Sequence, residues 1–219
     1  MLSYLSDYLY KKINVQQKKL RELGILVVQD PTKCTHLAAP AMVRTKKFLC
    51  ALASGPIIVS ADFIGHCIKH GEVPDPEKFP LKDSDNEKKF GVKLKDALIR
   101  ARANKRTLLR RVPVYCTPEV PMEDTYKDIV ESNGGTFFIY RARGGATIKP
   151  TTAEEDDGPA EPVYLLSGTR PEEKKLWPRF IEMAKAGNMI PRIVKTDWLL
   201  DVAMSQQLKW DKSYLSSES

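Results

Sequence analysis

The sequence predicts an α/β protein made of two copies of one small unit. Each copy is a four-stranded parallel sheet with helices on both faces, and the two pack together through a linker helix. Three observations predict this. Short β-branched runs alternate with helical stretches, an order that needs crossover connections and so gives parallel strands. The order of elements in the first 81 of the 219 residues returns after residue 112. Between the two lie residues 82–111, with 11 basic and 4 acidic side chains, a balance of +7 that equals the net charge of the whole chain.

The first repeat, residues 1–81, opens on Met1-Leu2-Ser3-Tyr4-Leu5-Ser6 with a first strand that is short or truncated. A helical pattern from Ile13 to Leu23 stops at Gly24, and Ile25-Leu26-Val27-Val28 reads as a buried strand. Thr35-His36-Leu37-Ala38 is the next strand. The helix from Thr45 to Ala53 stops at Ser54-Gly55-Pro56, and Ile57-Ile58-Val59 leads as a strand into a last helix over Ala61 to Ile68.

Residues 82–111 form the linker. Phe90, Leu94, Leu98 and Ala101 are spaced by four, four and three with charged residues between them, which predicts one amphipathic helix with a basic outer face.

The second repeat, residues 112–219, begins with a strand at Val112 to Cys116. A helix from Glu123 to Glu131 closes at Gly134-Gly135, and Thr136 to Tyr140 is the next strand. Residues 141–162 are polar and largely acidic and read as a mobile loop; Glu154 to Asp157 form its acidic run. Val163 to Leu166 is a strand, Glu172 to Ala186 a helix, Arg192 to Val194 a strand and Thr196 to Ala203 a helix. Phe63 and Trp198 occupy the same place in the two repeats, each on the last helix and facing its own sheet.

Composition excludes several classes. No apolar run reaches the roughly 18 residues of a membrane span and no basic-then-apolar leader opens the chain, so it reads as soluble and non-secreted, with no membrane contact. Cys34, Cys50, Cys67 and Cys116 include no Cys-x-x-Cys pair and read as buried free thiols in a reducing compartment. His66 and His70 share a helical face, but no further ligand is evident, so no metal is assigned. Catalysis finds no sequence signature: there is no phosphate-binding Gly-rich loop and no nucleophile with a base to activate it. The chain reads as a non-enzyme without cofactors.

Arg44-Thr45-Lys46-Lys47-Phe48-Leu49-Cys50-Ala51-Leu52 is the most informative stretch. The first N–H groups of a helix lack intrahelical partners and the macrodipole adds positive potential, so Thr45 and Lys47 can converge there on one anionic group. Arg44, one turn from Lys47, can fork onto a carboxylate. The alternative is an ordinary surface helix with a basic polar face.

The ordered set of elements, found twice, resembles a tandem BRCT module, the phosphopeptide-binding repeat pair of DNA-damage-response scaffolds. Gly134-Gly135, Thr35-His36-Leu37, the entry from Val194 to Trp198 and the linker carry the likeness. Phe90-Gly91-Val92-Lys93-Leu94 together with Arg44 to Ala51 resembles most the mediator-type and fungal multi-BRCT replication-fork scaffolds that read the damage-phosphorylated C-terminal histone tail.

The resemblance implies a set of site residues. Lys47 matches the phosphate-binding Lys, and Arg44 matches the Arg that meets the ligand backbone or its terminal carboxylate. Thr45 supports the helix start. Ser3 is taken as the phosphate hydroxyl, with Ser6 in reserve, and the backbone N–H of Tyr4 stands where the family places Gly. Leu49, Val120, Pro121 and Leu200 would line a pocket for the side chain three residues after the phosphoserine; packing of one repeat on the other explains them as well. In the second repeat Thr117 precedes Pro118, which has no N–H to donate, so one phosphate site per chain is expected. The implied partner is a phosphoserine-Gln-Glu-apolar C-terminus, read in the nucleus on chromatin by a monomeric module. The alternatives are an internal phosphoprotein ligand, or weak, phosphate-independent DNA contact through the basic residues of 88–111.

Overall fold

The computed structural model describes residues 2–4, 17–141 and 161–209. The chain divides into two compact units, residues 1–105 with Met204–Gln206, and Arg106–Ala203 with 207–219.

In the first unit β1 (Leu2–Tyr4), β2 (His36–Ala39) and β3 (Ile57–Ser60) form a parallel sheet in the order β1-β2-β3. A helix over 17–22 (α1) and α3 (Asp62–His70) cover the sheet; Leu20 and Phe63, Ile64 and Cys67 pack there with Ala38 and Val59. The other helix, α2 (Lys46–Leu52), buries five successive residues from Phe48 to Leu52. Such a helix is apolar all round and belongs to the interior, with polar side chains only at its start.

Two expectations for this unit need correction. Residues 25–28 make a single-residue bridge at Val27 instead of a strand, so the described sheet has three strands. Ile25 and Val27 still pack, partly buried, against the core while Leu26 is half exposed. The linker is two helices, α4 (Ser84–Phe90) and α5 (Leu94–Asn104). Gly91 separates them at φ 62°, a left-handed cap that returns its N–H to the Glu87 and Lys88 carbonyls while Val92 N–H reaches Glu87 O. Leu94, Ala97 and Ala101 form the buried stripe of α5, with Leu98 half-buried beside it.

In the second unit β4 (Pro113–Cys116), β5 (Thr136–Ile139), β6 (Glu161–Leu166) and β7 (Met189–Val194) form a parallel sheet in the order β5-β4-β6-β7. β6 starts at Glu161, inside the span expected to be loop; residues 142–160, with the acidic run, lie outside the described residues. α6 (Glu123–Ser132) connects β4 to β5. The helix expected over 172–186 is two, α7 (Pro171–Lys174) and α8 (Trp177–Ala186), with Pro178, which has no N–H for the ladder, in the first turn of α8.

Tyr140, Val163, Leu165, Phe180 and Ile193 belong to one core cluster of this unit. α9 (Thr196–Ser205) places Trp198 flat on Tyr164, with ring centroids 4.0 Å apart. Phe63 stands four residues beyond Val59 of β3 and Trp198 four beyond Val194 of β7, and each packs on its own sheet. All four cysteines are free and buried. Among the described residues no helix is long and apolar enough to cross a membrane.

Candidate functional site

The start of α2 is built by the loop that follows β2. Thr45 is the N-cap, at φ −80° and ψ 151°, and its hydroxyl accepts from Phe48 N–H at 3.5 Å while its carbonyl accepts from Leu49 N–H at 3.0 Å. The first turn holds no acidic residue. Lys47 is half-buried, and no carboxylate among the described residues pairs with it.

The linker supports this loop. Asp83 caps α4 through Asn86 N–H at 3.3 Å, and its other oxygen accepts from Met42 N–H at 2.7 Å. Two residues further on, the Arg44 guanidinium lies over the Phe90 ring, 4.8 Å from the centroid, and Lys89 approaches the same ring at 5.6 Å. Phe90 therefore acts as a platform for Arg44 in addition to helix packing. Asp83 and Phe90 were not expected to serve this loop; the Asp-Ser-Asp-Asn capping pattern at 83–86 was the available signal for the first.

Ser3 and Tyr4 lie in β1 opposite Leu37 and Ala38. Matching the two sheets by register sets Tyr4 level with Cys116, so that Ser3 is inside the strand and two positions before the level of Thr117. Ser6 lies outside the described residues.

Several basic side chains of the linker are committed to carbonyl groups. Arg102 donates from Nε to Gly55 O at 3.1 Å and from Nη2 to Pro56 O at 3.4 Å, just past the end of α2. Arg100 Nε meets Ser205 O at 2.7 Å, and Arg106 Nε meets Ser132 O at 3.1 Å. Arg100 and Arg106 thus satisfy the last carbonyls of α9 and α6, and Arg102 those of the turn after α2.

The position that follows β4 in the second unit is Thr117, fully buried. Its hydroxyl donates to Glu173 Oε1 at 2.9 Å, the same oxygen accepts from Gly168 N–H at 2.7 Å, and Oε2 accepts from Arg170 N–H at 3.3 Å. Glu173 is 2% exposed. It borders a cleft of about 300 Å³ that brings together Val120 and Pro121 with Tyr126, Thr169 and Lys195. Leu200, half-buried on α9, is not among its lining residues, and Leu49 is buried within α2 of the first unit.

Residues 4–81 match the family described as the Regulator of Ty1 transposition protein 107 BRCT domain. BRCT-containing protein 1 of Schizosaccharomyces pombe is 33% identical over 195 residues, which is 86% of this chain and 21% of that protein. Mediator of DNA damage checkpoint protein 1 of Homo sapiens is 30% identical over 172 residues, 73% of this chain and 8% of that one. The chain thus spans about a fifth or less of these relatives. The crystal structure of the S. pombe Brc1 BRCT5-BRCT6 domains is 30% identical, with TM-score 0.71 over 95% of this chain and 93% of that chain. The chain belongs to the BRCT family, as a tandem pair. The BRCT fold is also shared with a complex of Rtt107p and a phosphorylated histone, at 14% identity and TM-score 0.68 over 98% of this chain and 90% of that one. BRCT domains are protein-interaction modules.

Proposed function

We propose that this tandem BRCT module binds a phosphoserine near a free C-terminus, and that its ligand is the damage-phosphorylated tail of a histone. Binding would bring a genome-maintenance scaffold to damaged chromatin or stalled forks in the nucleus. The module acts without catalysis and without a cofactor.

The observation that carries the reading is the start of α2, where Arg44, Thr45 and Lys47 sit within one turn, no acidic side chain shares that turn, and Arg44 is braced on Phe90. A phosphoserine brings between one and two negative charges and three acceptor oxygens. The Lys47 ammonium supplies a charge-assisted hydrogen bond, and the β1 segment at Ser3 and Tyr4 supplies a hydroxyl and a backbone N–H. The Arg44 guanidinium, placed over the Phe90 ring, offers a planar fork to a terminal carboxylate. Relatives support the same reading: one is by name a mediator of the DNA damage checkpoint, and a structural neighbour is a complex with a phosphorylated histone.

Substitution tests it. Each charged hydrogen bond is worth about 1.5 to 3 kcal/mol, so Lys47→Met, which removes that contact, is expected to weaken phosphopeptide binding by about one to two decades. Ser3→Ala, which removes one contact, is expected to cost about one to two decades. A Lys47→Met chain that binds the phosphopeptide as tightly as wild type would refute the site.

A further inference from the structure

We infer that the second repeat keeps an oxyanion-binding site of its own, made by the Thr117 hydroxyl and the N–H groups of Gly168 and Arg170, and that the Glu173 carboxylate fills it as a built-in ligand. The inference extends the phosphate reading of the first repeat to its counterpart, and rests on that reading for the name of the competing ligand.

The geometry is that of a bound anion. Two oxygens of one buried carboxylate take three donors from three separate places: the residue after β4, the residue two past β6 and the N-cap of α7. The donors converge because of the sheet. Thr117 N–H bonds to Leu166 O and Ser167 N–H to Val194 O, which continues the ladders of β4, β6 and β7 by one residue and aims the following loop at the carboxylate. Trp177 then fixes the loop by donating its indole N–H to Ser167 Oγ at 2.8 Å.

Gly168 shows how closely the carboxylate is held. A Cβ at that position would collide with Glu173 Oε2 and lie 2.9 Å from Oε1, so a larger residue there would have to displace the carboxylate. Burial of a charge is tolerable when hydrogen bonds replace its water, and three donors do so here.

The first repeat has a Lys in the second position of the corresponding helix, and the second repeat has Glu172 and Glu173 in the first turn of α7. A cation at that second position would recruit a phosphate; Glu172 stands there instead, and Glu173, one residue further on, turns its carboxylate inward. The site therefore opens onto the cleft beside Arg170 and Lys195 but is closed to any phosphoryl group while Glu173 stays in place. This gives one phosphate site per chain for a reason additional to the missing N–H of Pro118.

The test uses the whole 219-residue chain. Thermal melting of wild type, Glu173→Ala and Glu173→Ala/Thr117→Val is compared in sodium formate, acetate and phosphate against chloride at matched ionic strength. A small anion that refills the site stabilises the folded state by mass action. Glu173→Ala is expected to melt below wild type in chloride and to recover in formate or acetate, whereas wild type and the double variant respond to all salts alike. Recovery in phosphate as well would support the inference further, by showing a site open to phosphoryl groups. Absence of recovery in every salt would overturn it.

Glu173→Gln, which keeps the volume, provides a second readout should the Ala variant not fold. The Gly168 amide proton is expected to move upfield when its charged acceptor is neutralised, and an unchanged resonance would overturn the inference. Adding Lys47→Met to Glu173→Ala should leave the recovery intact, so failure at α2 and failure at Glu173 are read separately.

Discussion

The backbone N–H of Met42 donates to Asp83 Oδ2 at 2.7 Å, so the carboxylate that caps α4 also holds the loop leading into α2. One side chain thereby joins the stability of the linker to the placement of Arg44. Asp83→Ala removes an N-cap and the loop's anchor, and is expected to cost about 1 to 2 kcal/mol of stability and to weaken phosphopeptide binding without touching the ligand. Urea denaturation beside a peptide titration checks both, and loss of stability with unchanged affinity would separate the loop from the site.

Acid should loosen the same region. Asn86 and Met42 hold the Asp83 carboxyl below the usual range by hydrogen bonding, and Lys93 followed by Leu94 N–H does the same for Glu87. Groups with depressed folded-state values bind fewer protons folded than unfolded. Their contribution is complete above the ordinary carboxylate range of about 4 and is lost as pH falls through the depressed values. Asp83→Asn is expected to flatten the fall in stability between about pH 5 and pH 3. An identical pH profile in wild type and variant would contradict the assignment.

Gly134 closes α6 at φ 80°, and a Cβ there would run into the backbone carbonyl of Arg106. Backbone cannot give way as a flexible side chain can. Gly134→Ala is expected to destabilise the second unit by at least about 2 kcal/mol, from left-handed strain and the clash together. A midpoint in urea equal to that of wild type would refute the close approach.

Burial pushes the Cys34 thiol up to about 11 and the Cys116 thiol up to about 12. The thiolate is the reactive form, so the native chain at pH 8 should react slowly with a thiol reagent and the denatured chain should react at all four cysteines. Fast labelling of the folded protein would place at least one thiol at the surface.

Local chemistry explains which elements could be read beforehand. α2 was legible because Thr45 is a good N-cap and Gly55-Pro56 a firm stop, and the strands of the second unit because β-branched and aromatic residues cluster between turns. The linker misled because Phe90 falls on the four-four-three spacing while belonging to α4; Gly91 ends that helix, and the ring supports Arg44. Ile25 to Val28 have strand propensity, yet only Val27 pairs, as a single bridge, because propensity does not by itself extend a ladder. Arg44, Thr45 and Lys47 were gathered by sequence adjacency alone, since they lie within one helical turn. Asp83 and Glu173 act on residues 41 and 56 positions away, and nothing in the polar run Glu172-Glu173-Lys174-Lys175 marks one carboxylate as buried.

The central claim is that phosphate and a free carboxylate are read together. Calorimetric titration with a peptide ending in phosphoserine-Gln-Glu-Leu, beside its unphosphorylated and C-amidated forms, measures this directly. The account predicts tight binding only for the phosphorylated free acid, with the amide weakened through Arg44 and the unphosphorylated peptide through Lys47. Equal binding of the unphosphorylated peptide, or binding to none of the three, would contradict it.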